Sequence, residues 1–281
     1  MRQDNAIENE GTGGVGETVV QPISPDDSAI PTRNGEKALL LSMIPGLILA
    51  LLVSLLVWGV LEVMPSVFEL PEHLRELSGN APEEQQKELL DTSLVVSNKN
   101  AALSLVLLIS TLSLFLTIAE AKLRHQGLGA IWRGLLAIVI ADVFAVGGSI
   151  LGSMLATSAS MPEDPMVRTI IVQSAMFGLA GFGVGAGVAF ASTLPIFRPR
   201  PLAVCLTGGL LGGLLAGLIF PMASSILMPN AQTEVLMPDP GVSRLLWLAL
   251  VSCLSVLAVT AMGKEANDAG LKKSLVADSR P

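Results

Sequence analysis

The chain has 281 residues, of which 51% are hydrophobic and only 15% charged, and its mean hydropathy is +0.63. Soluble domains carry about 25% charged residues, so this chain has too little polar surface to cover itself in water, which argues against the collagen-like, disordered, disulfide-scaffold and ordinary soluble-enzyme classes. The net charge is −7 with no basic cluster, so no nucleic-acid partner is expected.

Residues 1–36 are polar. Asp4, Glu8, Glu10, Glu17, Asp26, Asp27 and Glu36 stand against Arg2 and Arg33, with Gly, Pro, Ser and Asn filling much of the rest. Too little apolar surface is available to offset the entropy of ordering, which predicts a disordered acidic tail. A basic start followed at once by an apolar run would mark a secretory signal. Neither is present, so the first apolar stretch is expected to act as its own insertion signal.

Six apolar stretches come next, at 38–60, 101–119, 134–156, 169–191, 202–227 and 245–262. About 20 mostly apolar residues cross a bilayer as a helix. The expected fold is therefore all-α: a polytopic transmembrane bundle of six spans over residues 37–263. Pro45-Gly46 predicts a kink or a late start in the first span, and Pro221 a tilt, kink or early end in the fifth. The connection 64–100 is the only sizeable extramembrane segment and is acidic. Within it Pro82, Glu83 and Glu84 read as a helix start, because Pro suits the first helical position and acids favour the positive dipole end. One or two short surface helices are expected there.

Charge placement orients the map. With a cytoplasmic N-terminus, 12 of the 17 basic residues fall on the cytoplasmic side and 5 on the other. The positive-inside rule then puts both termini in the cytoplasm, with 264–281 as a cytoplasmic tail. No organelle-targeting segment is visible, so a bacterial inner membrane is the expected location. Trp58, Trp132 and Trp247 each fall near a span end, where an amphipathic ring prefers the interface.

Two loops resemble each other. Met161-Pro162-Glu163-Asp164-Pro165 with Arg168 precedes the fourth span, and Met237-Pro238-Asp239-Pro240 with Arg244 precedes the sixth. Parallel repeats of helical hairpins would produce this, as would the frequency of Pro at helix ends.

Small-residue spacing is the clearest physical signal. Gly209, Gly213 and Gly217 recur every four residues in span five, Gly148, Gly152 and Ala156 in span three, and Gly181 and Gly185 in span four. Such stripes let two backbones approach, so spans three, four and five are expected to pack tightly. A glycine-lined conduit or a self-association face is the functional alternative.

Asp142 is the sharpest single residue, being the only ionisable side chain deep within a span. With the span centred near residue 145, it lies about 4.5 Å from the middle at 1.5 Å per residue. A charge there costs about 2.5–3.5 kcal/mol on insertion scales. It is expected to face the bundle interior, on a stripe with Ala145, Ser149, Gly152, Ser153 and Ala156. Two readings are open: an ion- or proton-binding carboxylate, or a structural acid hydrogen-bonded to a neighbouring helix.

Catalytic and metal signatures are missing. There is no Gly-x-Ser-x-Gly, no His-Glu-x-x-His, no phosphate-binding loop and no Cys-x-x-Cys. His73 and His125 lie in loops, and Cys205 and Cys253 sit singly in apolar stretches. No catalytic residue, metal or cofactor is therefore expected. The leading expectation is a non-enzymatic structural or interaction protein. Its partners are the lipid bilayer and either a second copy or another membrane protein. The alternative is a small secondary transporter or channel with Asp142 in its pathway.

Overall fold

The computed structural model describes residues 33–64, 67–75, 82–123, 129–193, 199–228, 236–238 and 241–278. The expected acidic tail lies outside the described residues, apart from its last few positions. The chain divides within the first helix into two units, Met1–Ala38 and Leu39–Pro281. Of the first unit, the described part is the opening of that helix; the second unit holds the bundle.

Seven helices make up the described chain: α1 (Arg33–Val63), α2 (Glu72–Arg75), α3 (Glu83–Leu123), α4 (Gly129–Ala156), α5 (Pro165–Thr193), α6 (Pro199–Leu227) and α7 (Val242–Asp278). No strand occurs among the described residues. All but α2 are long and apolar enough to cross a membrane. This is an all-α integral membrane protein. Hydrocarbon offers no partner for a peptide group, so a helix that closes every bond within itself is the fitting element.

Local chemistry sets the helix ends. Asp164 caps α5: its Oδ1 accepts from the N–H groups of Met166 and Val167, at 2.9 and 3.1 Å, and Pro165 takes the first helical position, where a missing N–H costs nothing. The carbonyl of Pro82 accepts from Gln85 and Gln86, both at 3.0 Å, and opens α3 at the predicted place. Gly241 precedes α7 with φ of +100°, a conformation that L side chains rarely adopt.

Two helices are longer than expected. The helix begun at Glu83 is not a short surface piece; it runs on without a break through span two, and its 41 residues reach about 60 Å. Likewise α7 continues to Asp278, through most of the segment read as a tail. Of the alternatives expected at the prolines, the late start and the early end do not occur: α1 starts well before Pro45, and α6 continues past Pro221 to Leu227.

The helices pack with α5 between α4 and α6, α7 against α6, and α3 against α4. In α5, 67% of the most apolar stretch is buried, against 44% or less in the other five spans, so α5 is the axis of the bundle. Leu105, Leu108, Ile109 and Leu112 of α3, Met176 and Phe177 of α5, Phe220 of α6 and Trp247 of α7 fill the centre. On α1, the buried Ser54 bonds the hydroxyl of Ser252 on α7.

The tryptophans do not share one environment. Trp132 is 76% exposed, as an interfacial ring would be, whereas Trp247 is fully buried. The expectation of an interfacial Trp247 is therefore corrected. Its indole is held edge-on to Phe177 with ring centres 5.1 Å apart, and its N–H donates to Gln173 Oε1 at 3.1 Å. That buried acceptor on α5 removes the need for water. Gln173 Nε2 in turn donates to the carbonyl of Leu236, at 3.3 Å. Leu236 is 4% exposed and belongs to the α6–α7 connection, which here dips into the end of the bundle. Buried backbone outside a helix needs partners from the protein. Replacing Gln173 by Leu is expected to destabilise the fold by about 1–3 kcal/mol, because it orphans a buried N–H and a buried carbonyl. Adding Trp247→Phe should return part of that loss. Unfolding in mixed micelles, run as a double-mutant cycle, measures it; strict additivity would disprove the coupling.

Candidate functional site

Asp142 stands on α4, within the apolar stretch Ile131–Ala156. It lies about 2 Å from the centre of that stretch along the axis, at 1.5 Å per residue. Facing it is Ser110 of α3, whose hydroxyl donates to Asp142 Oδ1 at 2.7 Å. Among the described residues Ser110 is its one hydrogen-bond donor, and none forms an ion pair with it. Ser113 and Thr117 lie on the next turns of α3, buried and without hydrogen-bond partners among the described residues. The result is a polar seam between two apolar helices.

The seam is not in the bundle centre. Asp142 is half-buried, which departs from the interior position expected of it. On one flank, Ala141, Ala145 and Ser149 are buried. On the other, Val139 is 61% exposed, Val143 65% and Val146 41%. The reason lies in α5. The Cβ positions of Gly183 and Gly187 would fall 2.8 and 2.7 Å from the carbonyls of Ala141 and Ala137. The smallest face of α4 must therefore turn toward α5. That face precedes Asp142 by one residue, about 100° of helical turn. The carboxylate is thus carried round to the α3–α4 margin.

The other sequence-predicted residues fall in three places. Gly148 and Gly152 of α4 meet Met176 of α5, with Gly152 also beside Leu236. On α5, Gly181 faces the carbonyl of Gly209 and the hydroxyl of Ser255, and Gly185 faces the carbonyl of Cys205. On α6, Gly209, Gly213 and Gly217 face Gly181, Phe177 and Ser174 in turn, backbone to backbone. Gly208 and Gly212, on the next face of α6, lie against Ala258 and Leu254 of α7. None of these glycines is brought beside Asp142 as a lining residue.

Sequence reasoning did not single out Ser110 as the partner of Asp142. The Ser and Thr content of span two was the signal, without a way to choose among its hydroxyls. It also missed a cluster where the end of α1 meets the start of α7. Glu62 of α1 accepts from the Gly241 N–H at 2.8 Å and pairs with Arg244 of α7 at 3.5 Å. Trp58 donates to the Gly241 carbonyl at 3.0 Å. The resemblance between the two loops ends at these arginines: Arg168 caps the carbonyl of Ala156 on α4, while Arg244 reaches across to α1. Pro240, the counterpart of Pro165, lies outside the described residues.

Among the described residues no group of three His, Cys, Asp or Glu could hold a metal ion. His73 lies near Glu88, 3.7 Å apart, in the connection that holds α2; His125 lies outside the described residues. No protein-family model, curated protein or solved structure matches the chain.

The glycine geometry makes a prediction. A Cβ on Gly213 would strike the carbonyl of Phe177, which is backbone and cannot swing aside. Gly213→Ala should destabilise the protein by about 1–3 kcal/mol through overpacking, and Gly213→Leu by more. Gly147 has nothing within 4 Å of its Cβ position, so Gly147→Ala should be neutral or slightly stabilising. Thermal unfolding in detergent compares the three; equal melting temperatures would refute the close approach.

Proposed function

We propose that this integral membrane protein is a non-enzymatic interaction protein, and that its α3–α4 face docks onto another helix within the bilayer. One observation carries the reading: a mid-depth carboxyl sits half-buried at the margin of the bundle, with a single hydroxyl as its donor among the described residues. An acid facing lipid at that depth costs about 2.5–3.5 kcal/mol on insertion scales. A helix laid over the seam removes that cost by covering the carboxyl and supplying donors. The exposed valines around it, Val139, Val143 and Val146, are stiff at χ1 and lose little rotamer freedom on docking.

The rest of the bundle suits a rigid platform. Phe177, Phe220 and Trp247 occupy its centre, and the glycine stripes on α4, α5 and α6 favour a tightly packed base beneath that face. The bias of basic residues, 12 against 5, supports cytoplasmic termini.

The second reading, a transporter or channel with Asp142 in its pathway, draws on the same polar seam. The two readings differ in water access. In a chain with Cys205 and Cys253 changed to Ser, Asp142→Cys is expected to resist a membrane-impermeant maleimide from both sides of the membrane. Labelling from either side would favour the pathway. They also differ in stability. Asp142→Leu should leave the purified monomer as stable as the parent or more so, since a group kept for docking opposes the fold of the isolated chain. A loss above about 1 kcal/mol would mean that Asp142 holds α3 to α4, because membrane hydrogen bonds average only about 0.6 kcal/mol.

A further inference from the structure

Resting on the docking reading above, we propose that the helix covering the α3–α4 seam carries a lysine or arginine at mid-depth and belongs to a different protein, not to a second copy of this chain. The argument is charge complementarity at a fixed depth. Asp142 lies at the centre of its apolar stretch, and its carboxyl has one hydroxyl donor among the described residues. A carboxylate accepts up to about four hydrogen bonds, so capacity remains for an ammonium or guanidinium group.

A second copy does not offer one. The stretches Met43–Val63 and Leu202–Leu227 contain no basic residue. Elsewhere the cations lie away from the depth of Asp142: Lys87 and Lys99 of α3 precede Ser110 by eleven residues or more, at least about 16.5 Å along the axis, Arg133 is at one end of the α4 stretch, and Arg168 and Arg244 are near the starts of α5 and α7. Arg133 is nine residues from Asp142, or about 13.5 Å along the axis. A two-fold contact through the seam would set Asp142 against its own copy, and like charges there oppose association. The complementary group must come from another chain.

The surface around the acid admits a helix. Val139 and Val146 lie one turn either side of Asp142, and both are exposed. On α3, Phe115 and Ile118 are exposed at 40% and 45% and continue the apolar surface beyond the seam. A helix along this face would bury apolar flanks and bring one side chain to the carboxyl. Opposite charges paired this way hold each other in hydrocarbon, where each alone is costly.

The full chain, reconstituted in phosphatidylcholine vesicles and labelled with a donor dye, tests this against three acceptor-labelled probes. One is a synthetic leucine–alanine helix with a single central lysine, the second is the same helix with leucine there, and the third is the chain itself. The lysine helix is expected to associate about tenfold or more tightly than the leucine helix, as a charge-assisted hydrogen bond allows. Asp142→Asn, which keeps shape and removes charge, should bring the two helices level. Equal association of both helices with the parent chain would overturn the proposal, as would self-association lost in Asp142→Asn. If the maleimide experiment shows a dry Asp142 while the lysine helix fails, only the cationic partner falls. If maleimide reaches that position, the docking reading itself falls.

Discussion

The constraint on which the structure depends is that hydrocarbon gives a peptide group nothing to bond. Every helix of this bundle answers it by closing its bonds internally, and the exceptions show the same rule. Ser54, Ser104, Thr111 and Thr260 return their hydroxyls to the carbonyl four residues earlier. The irregular backbone at Leu236 is inside the bundle only because Gln173 meets its carbonyl. Gln173 is itself admissible there because Trp247 uses its oxygen. Each buried polar atom in this set is tolerated only as a member of the chain of bonds, which is the usual condition for polar groups in a low dielectric.

A second constraint has the same origin. Lipid is as apolar as leucine, so burying apolar surface does not drive helices together. Contact area and close approach must do so. The backbone of α5 comes against α4 on one side and α6 on the other, and both approaches occur where Cβ atoms are missing. This arrangement dictates the placement of everything else on α4. Once Ala137, Ala141 and Gly148 are turned to α5, Asp142 has no route to the centre. Its position at the margin is a consequence of the packing of its neighbours.

Much of the architecture was legible in the sequence. The six spans were readable from apolar length, and the depth of Asp142 from its place in one of them. The start of α3 was readable from Pro82 and two acids. What escaped has physical causes. Hydropathy registers the change from lipid to water but not the end of a helix, so the extensions of α3 and α7 beyond their spans were invisible. Tryptophan at a span end is ordinarily interfacial; Trp247 became a core residue because Gln173, 74 residues earlier, accepts its proton. That pairing depends on how α5 and α7 meet. The same applies to Ser110. Periodicity placed Asp142 on a stripe with Ala145 and Ser149, but a stripe has two edges, and the choice between interior and margin is made by α5.

The location of Asp142 also separates two uses of an intramembrane acid. A carboxyl serving the fold would be surrounded by donors and withdrawn from lipid, as Gln173 is at 1% exposure. A carboxyl serving transport would line a space shared by several helices. Asp142 takes one hydroxyl from α3 and sits beside valines that face outward. In the isolated chain this arrangement is unfavourable, by the cost of an acid exposed to hydrocarbon. Function commonly keeps such unfavourable groups, since a residue that opposes stability in one state can stabilise another. On the docking reading, the state that Asp142 stabilises is one in which its outward flank is covered, and the reason for this residue then lies on a helix laid over the α3–α4 face.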